Sequence, residues 1–279
     1  MKIAKYWARE STKVRDGNGR EFDIACWRSS NESPAQARSA AAEAARKIAG
    51  RFINRERPGA YQYSDRPLRE EIIEEIRDGG GKLTAAITRN AYGALVLNTD
   101  RVMFVDIDLG PEGLLHRIKR MLGLAGDRAE ETMQFLRDWL KERGGWGFRV
   151  YRTCNGFRLL VTHAEFDPTR QETMDVLQSL GSDALYIKLC KAQESFRARL
   201  SPKPWRMELE NPPNRYPRLE REEEDNFIRW LKQYESRIKN FAVCRFIEHL
   251  GYERISGNID RIVKLHDRYS LSDGARELA

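Results

Sequence analysis

The chain predicts an α+β protein built around a mostly antiparallel sheet, and three features carry that expectation. Turn signals at Asp16-Gly17-Asn18-Gly19, across Arg89–Gly93 and at Asn155-Gly156 each separate two apolar runs, the mark of hairpins joining antiparallel neighbours. Helical segments interrupt these hairpins without alternating one for one with strands, as a parallel sheet would require. The third feature is Arg101–Leu109, an apolar strand that ends in two acids, Asp106 and Asp108.

Lys2–Ala8 and Glu21–Trp27 read as an opening hairpin, and Pro34, at a first helical position, starts a long Ala-rich helix running to about Asn54. A polar break around Arg57-Pro58-Gly59 leads to Tyr61-Gln62-Tyr63. Pro67–Ile76 shows Leu68, Ile72, Ile73 and Ile76 at helical spacing and predicts a second helix, stopped by Gly79-Gly80-Gly81. Lys82–Thr88 and Ala94–Asn98 make the next hairpin, and the acidic strand follows it. Helices are expected over Glu112–Leu122 and Ala129–Arg143. Strands Gly147–Cys154 and Phe157–His163 then meet across Asn155-Gly156. A two-residue turn there pairs Arg152 with Leu159 and Tyr151 with Leu160. Asp167-Pro168 opens a helix to Leu180, and Ala184–Leu189 is expected as a strand. Glu220–Ile238 and Val243–Leu250 read as helical, and His266-Asp267 as a pair on a helix surface. The organisation expected is an N-terminal αβ unit over 1–81, a core over 82–210 and a helical C-terminal extension over 211–279.

Forty-nine basic and 42 acidic residues leave a net charge of +7, which favours an anionic partner such as nucleic acid or nucleotide. The four cysteines form no C-x-x-C pair and none lies near a histidine in the sequence, so a zinc site is not expected. Free thiols, no apolar signal region and no run of the ~20 apolar residues needed to span a bilayer predict a cytoplasmic protein without a membrane partner. No Gly-Lys-Ser/Thr follows the three glycines, which excludes a Walker A loop.

Alternation places Asp106 and Asp108 on one strand face, about 7 Å apart, with Met103, Val105, Ile107 and Leu109 on the other. Two carboxylates so placed repel unless a cation lies between them. Mg²⁺ held by one or two carboxylates and substrate phosphates is the arrangement such a pair suits. One face of the later hairpin carries Arg149, Thr153 and Arg158, whose donors can take a triphosphate, or which can form a solvated outer face. Phe196–Arg206 gathers Arg197, Arg199, Lys203, Trp205 and Arg206, cations interleaved with an indole, a pattern that suits a nucleic-acid backbone with a stacked base or a rigid, wet loop.

In order, these pieces resemble the archaeo-eukaryotic primase (prim-pol) superfamily from about Leu83 to Arg206. That superfamily carries a strand ending in Asp-x-Asp/Glu, then a Gly-containing hairpin motif with a nucleotide-binding His, then a third acid. Phe104-Val-Asp106-Ile-Asp108 matches the first, and Thr153-Cys-Asn-Gly156-Phe-Arg158 is similar to the second, with Arg158 where the family has its His. Asp183 is the nearest third acid and Glu194 the other choice. The chain also resembles a set of uncharacterised bacterial proteins sharing its Ile87–Asn98 and Phe196–Arg206 strings. The resemblance implies a palm/RRM-like sheet and a primase-like nucleotidyltransferase. In it Asp106, Asp108 and Asp183 would be catalytic, with Asp106 and Asp108 holding Mg²⁺ or Mn²⁺. Arg149, Thr153 and Arg158 would take a nucleoside triphosphate, and Arg197, Arg199, Lys203, Trp205 and Arg206 nucleic acid. The rival expectations are an inactive nucleic-acid-binding protein on the same scaffold and a metal-dependent nuclease or phosphotransferase.

Overall fold

The computed structural model describes residues 1–54, 67–110, 127–272 and 274–279. It is an α+β fold with mostly antiparallel sheets, as expected. The opening hairpin pairs β1 (Tyr6–Arg15) with β2 (Glu21–Ser30), in register from Tyr6↔Ser30 to Arg15↔Glu21. Its turn is closed by Asp16, whose side chain accepts from the Asn18 and Arg20 amides. Helix α1 (Pro34–Ile53) is capped by the Ser33 hydroxyl, which accepts from the Gln36 amide. It buries an all-alanine stripe, Ala37, Ala41, Ala44, Ala45 and Ala49, and this lack of bulk lets it lie close against the hairpin.

Two four-stranded antiparallel sheets form the body. The first runs β3 (Glu71–Arg77), β4 (Leu83–Arg89), β5 (Leu95–Thr99), β9 (Phe196–Arg199). The second runs β11 (Cys244–Gly251), β7 (Gly147–Thr153), β8 (Gly156–Val161), β6 (Phe104–Asp108). Val105, Ile107, Phe157, Leu159, Phe148 and Val150 share one buried face of the second sheet. They join one apolar core with Met133, Leu136 and Trp139 of α2 (Arg128–Lys141) and Met174 and Leu177 of α3 (Gln171–Ser179). Two further helices are α4 (Ala184–Gln193) and α5 (Arg221–Arg237). The last helix, α6 (Gly257–Ser270), ties the sheets together. Its His266 ring centroid lies 5.5 Å from Phe104 and 4.7 Å from Tyr151, and its Tyr269 hydroxyl donates to Glu74 of β3 at 3.0 Å. A short parallel pair, β10 (Phe241–Ala242) with β12 (Glu277–Leu278), completes the elements.

Strands β6 and β9 are edges of different sheets, bridged by α4. The Tyr186 hydroxyl accepts the Arg197 amide at 3.3 Å and donates to the Phe104 carbonyl at 3.1 Å. One turn earlier the Asp183 amide donates to the Asp106 carbonyl at 2.9 Å, so that carbonyl is satisfied by the helix start and not by a neighbouring strand. The two edges are thus held together through α4 without pairing directly.

Four expectations are corrected. Pro67–Ile76 is not a helix: Glu71–Arg77 is β3, and Ile73 is an extra residue at a bulge between Ile72↔Thr88 and Glu74↔Ile87, so its isoleucines never show a period of two. The glycines form a hairpin turn on Asp78, which accepts from the Gly80 and Lys82 amides. Ala184–Leu189 is helical because the Asp183 carboxylate caps it, accepting from the Tyr186 amide at 2.8 Å. The expected helix Val243–Leu250 is instead the strand Cys244–Gly251, which pairs with the open edge of β7, so the C-terminal extension contributes β11 to the second sheet as well as helices. The β7–β8 register is shifted by two: Arg152 pairs with Phe157 and Tyr151 with Arg158. Gly156 is spent as the first residue of β8, opposite Asp108, where a Cβ would stand 1.9 Å from the Ile107 carbonyl oxygen. A shift of two preserves the faces. The expected break at Arg57–Tyr63 and the helix Glu112–Leu122 lie outside the described residues.

Candidate functional site

Strand β6 carries Asp106 and Asp108 at the edge of the second sheet, beside β9 of the first, with Asp106 half-buried and Asp108 exposed. Directly opposite Asp106 on β8 is Arg158, only 4% exposed. Its Nη1 donates to the Arg199 carbonyl at 2.8 Å, which ties β8 of one sheet to β9 of the other. Arg199, Lys203 and Arg206 enter from the segment that follows. This segment is rigid for a visible reason: the Tyr234 hydroxyl of α5 donates to the Pro202 carbonyl at 2.6 Å and lies 2.7 Å from the Ser201 hydroxyl, which in turn takes the Leu95 amide. The 3₁₀ turn Pro204–Met207 then presents Trp205 and Arg206.

The electrostatics show that these groups feel one another. Burial, then Asp106 and Asp183, push the Asp108 carboxyl above its ordinary range, while Lys203 and Arg206 pull it back. Burial, then Arg158 and Arg206, push Arg199 down to about 10, opposed by Asp106. Lys203 is likewise lowered by burial, Arg199 and Arg206, and opposed by Asp108 and Asp106. None of Asp106, Asp108, Asp183, Arg199, Lys203 or Arg206 forms an ion pair among the described residues, and the Arg199 Nε is buried without a hydrogen-bond partner. Like charges are therefore crowded among the acids and among the bases, and no ion pair among the described residues joins the two groups.

Asp106, Asp108 and Asp183 come together with Arg158, Arg199, Lys203 and Arg206. Asp183 does so as a helix cap whose carboxylate already accepts a backbone hydrogen bond. Three other sequence candidates are committed elsewhere. Arg149 pairs with Asp267 at 2.9 Å and donates to the Tyr151 hydroxyl at 2.7 Å. Arg197 pairs with Glu70 at 2.7 Å. The Thr153 hydroxyl takes the Gly156 amide and closes the β7–β8 turn. Trp205, 47% exposed, meets the edge of Tyr92, 44% exposed, with ring centroids 5.0 Å apart, and Lys203 Nζ lies 5.3 Å from the indole centroid. Tyr92 carried no sequence signal, being an isolated aromatic in a hairpin turn. His266 was also missed, and far from being on the surface it is fully buried beside Arg158. The stripe Ile259, Ile262, Val263, His266 carries the signal that could have placed it inside.

The donors fit a hard divalent cation. Among the described residues no group of three or more His, Cys, Asp or Glu is placed to hold a metal alone. Two carboxylates with the remaining positions filled by phosphate oxygens and water is the set that Mg²⁺ and Mn²⁺ accept. A concavity of about 690 Å³ lies elsewhere, lined by Asp100, Arg101 and Glu165 among others. Two of its acids, Asp100 and Glu165, are already paired with Lys82 and Arg101. Comparison with protein-family models, with curated proteins and with solved structures returns no match.

Proposed function

We propose that the protein is a metal-dependent nucleotidyltransferase of primase–polymerase type, acting on a nucleoside triphosphate and a nucleic-acid strand. The observation that carries this reading is that two carboxylates, Asp106 and Asp108, face three cations, Arg199, Lys203 and Arg206, with no ion pair at any of the five among the described residues. A polyphosphate with its divalent ion supplies both missing counter-charges at once: the ion to the acids, the phosphate oxygens to the cations. When bound, Mg²⁺ or Mn²⁺ supplies Lewis-acid activation of a strand hydroxyl and neutralises charge on the phosphates.

The chain's own residues supply orientation. Arg158 and Arg199 present guanidinium forks to phosphate oxygens, and Lys203 and Arg206 extend the cationic surface outward. The Asp183 amide keeps the start of α4 fastened to the Asp106 carbonyl, which holds that helix against β6. Trp205 with Tyr92 offers an aromatic edge for a base. The free cysteines Cys26, Cys154, Cys190 and Cys244 suit a reducing cytoplasm, the setting proposed; no helix among the described residues is long and apolar enough to cross a membrane. Nucleotide incorporation on a primed template, with Mg²⁺ and Mn²⁺ each supplied, tests the proposal. Extension that disappears in Asp106→Ala and Asp108→Ala supports it, and extension unchanged in both rejects it.

Strand binding without chemistry is a second reading. It is favoured by Asp183 being used as a helix cap and by the exposed Trp205–Tyr92 pair. Single-strand binding that survives chelation, with no extension, selects it.

A further inference from the structure

Beneath Arg158 lies a group of buried polar side chains that the proposed chemistry does not use. His266 of α6 and Cys244 of β11 are both fully buried. The His266 Nδ1 is 3.0 Å from Asp267 Oδ1. Asp267 is itself fixed from β7: the Tyr151 hydroxyl donates to Oδ1 at 2.7 Å, and Arg149 Nη2 donates to Oδ2 at 2.9 Å. An ionised carboxylate only accepts, so the hydrogen on this side of the ring belongs to Nδ1. In the neutral ring Nε2 then carries a lone pair, and it faces Arg158 Nη1 of β8 at 3.4 Å and Cys244 Sγ at 3.8 Å. An imidazolium would instead aim an N–H at a guanidinium N–H. Burial disfavours that cation, although Cys244 and Asp267 draw the imidazole above its ordinary value.

Arg158 has five N–H donors in a planar fork. The two on Nη1 have acceptors on hand, the Arg199 carbonyl and His266 Nε2. Its Nε and Nη2 have no hydrogen-bond partner among the described residues. An arginine side chain ordinarily loses rotamer entropy when a ligand fixes it, and here the protein fixes it in advance from behind.

We propose that His266, held as its Nδ1–H tautomer by Asp267, is a positioning residue that accepts from Arg158 and sets that guanidinium with its free edge toward the phosphates bound in the β6 cleft. The phosphate part rests on the function proposed above; the placement of Arg158 does not.

Two measurements separate the parts. In a ¹⁵N long-range correlation spectrum of the full chain at pH 8, where four histidines are few enough to assign by substitution, His266 should show a protonated Nδ1 and an unprotonated Nε2. The Nε2 signal should move in Arg158→Lys. An Nε2–H tautomer, or an imidazolium, overturns the placement. Calorimetry with Mn²⁺–ATP and with inorganic triphosphate then tests the coupling. His266→Leu should weaken binding about 10-fold in the wild-type background and not at all in Arg158→Ala, while His266→Gln, whose carboxamide oxygen reaches the Nε2 position, should keep most of the affinity. Equal losses in both backgrounds reduce His266 to a packing residue and overturn the coupling. Should His266→Leu fail to fold, the glutamine variant and the spectrum decide. A wild-type chain that binds neither probe sinks the nucleotide reading, and the spectrum alone then judges where Arg158 is held.

Discussion

Arg197 and Arg199 leave β9 on the same face, two residues apart, and meet opposite fates. Arg197 completes a closed ring: its Nη1 donates to Asn98 Oδ1 at 2.7 Å, Asn98 Nδ2 donates to Thr88 Oγ1 at 2.9 Å, and Thr88 donates to Glu70 Oε2 at 2.6 Å. Glu70 returns two contacts to Arg197 Nη2, at 2.7 and 3.0 Å. Every charge in that ring has its partner inside the fold. Arg199 forms no ion pair among the described residues, is opposed only at longer range by Asp106, and has an orphaned Nε with Arg158 and Arg206 pressing on it. Burying an unpaired cation beside others of its kind costs stability, so the fold by itself gives no reason for Arg199. The difference teaches where to look for function: the residue types are the same, and what separates structural from ligand-holding charge is whether the protein supplies the partner.

The sharpest way to break this comparison is to remove the charges on the open side. On the proposed function, Asp106→Asn and Asp108→Asn should each lower nucleotide incorporation by about 10³-fold, since either would remove a direct ligand of the proposed ion. Thermal unfolding should be unchanged or improved, because Asp108 is held against its own preference by burial, Asp106 and Asp183. A comparable loss of stability would move these acids into the structural class. The converse experiment opens the closed ring. Glu70→Ala leaves Arg197 buried without a counter-ion and should cost about 3 kcal/mol, read as a lower midpoint in denaturant. Binding of Mn²⁺ by the protein that remains folded should not change.

The two sides were unequally legible in the sequence. The acidic pair was readable because alternation along a strand needs no partner: Asp106 and Asp108 share a face whatever lies opposite. The basic run was readable as a composition. Which arginines are already spent was not, since the anions that take Arg197 and Arg149 lie 127 and 118 residues away along the chain, and nothing local reports such a contact. The same distance effect misled the reading of β3 and β11. Their apolar residues suit a helix, and it is pairing with β4 and β7, across a bulge in each case, that makes them strands. Helix α4 differs, because its signal was local: an Asp183 cap before Ala-Leu-Tyr-Ile-Lys-Leu outweighs the strand-forming Tyr and Ile. His266 falls between these cases, with its burial written in the stripe of α6 and its contact with Arg158, 108 residues away, invisible.

Smaller effects sharpen the contrast further. Arg199→Met keeps the stem's packing and removes a crowded cation. It should leave stability equal or slightly higher, and weaken triphosphate binding by roughly 10- to 30-fold, as loss of one charge-assisted contact does. Arg197→Met should show the reverse, a stability loss with little change in affinity for the protein that folds.

The smallest effect is one of pH, and its sign follows from Asp108. Its folded value lies above the unfolded one, so between those two values the folded chain holds the proton more tightly. Stability therefore declines as pH rises from the ordinary carboxylate value through the raised one, and levels off above it. Asp108→Asn removes that decline. The midpoint temperatures of the two proteins should diverge from pH 4 upward in the variant's favour, and then run parallel once Asp108 is fully ionised. On the proposed function, saturating Mn²⁺ should reverse the order at neutral pH, because the ion would bind only the folded wild type's carboxylate pair and stabilise it by mass action. An ordering that Mn²⁺ leaves untouched would place Asp108 with the ordinary surface acids, and the open side of the comparison would lose its ligand.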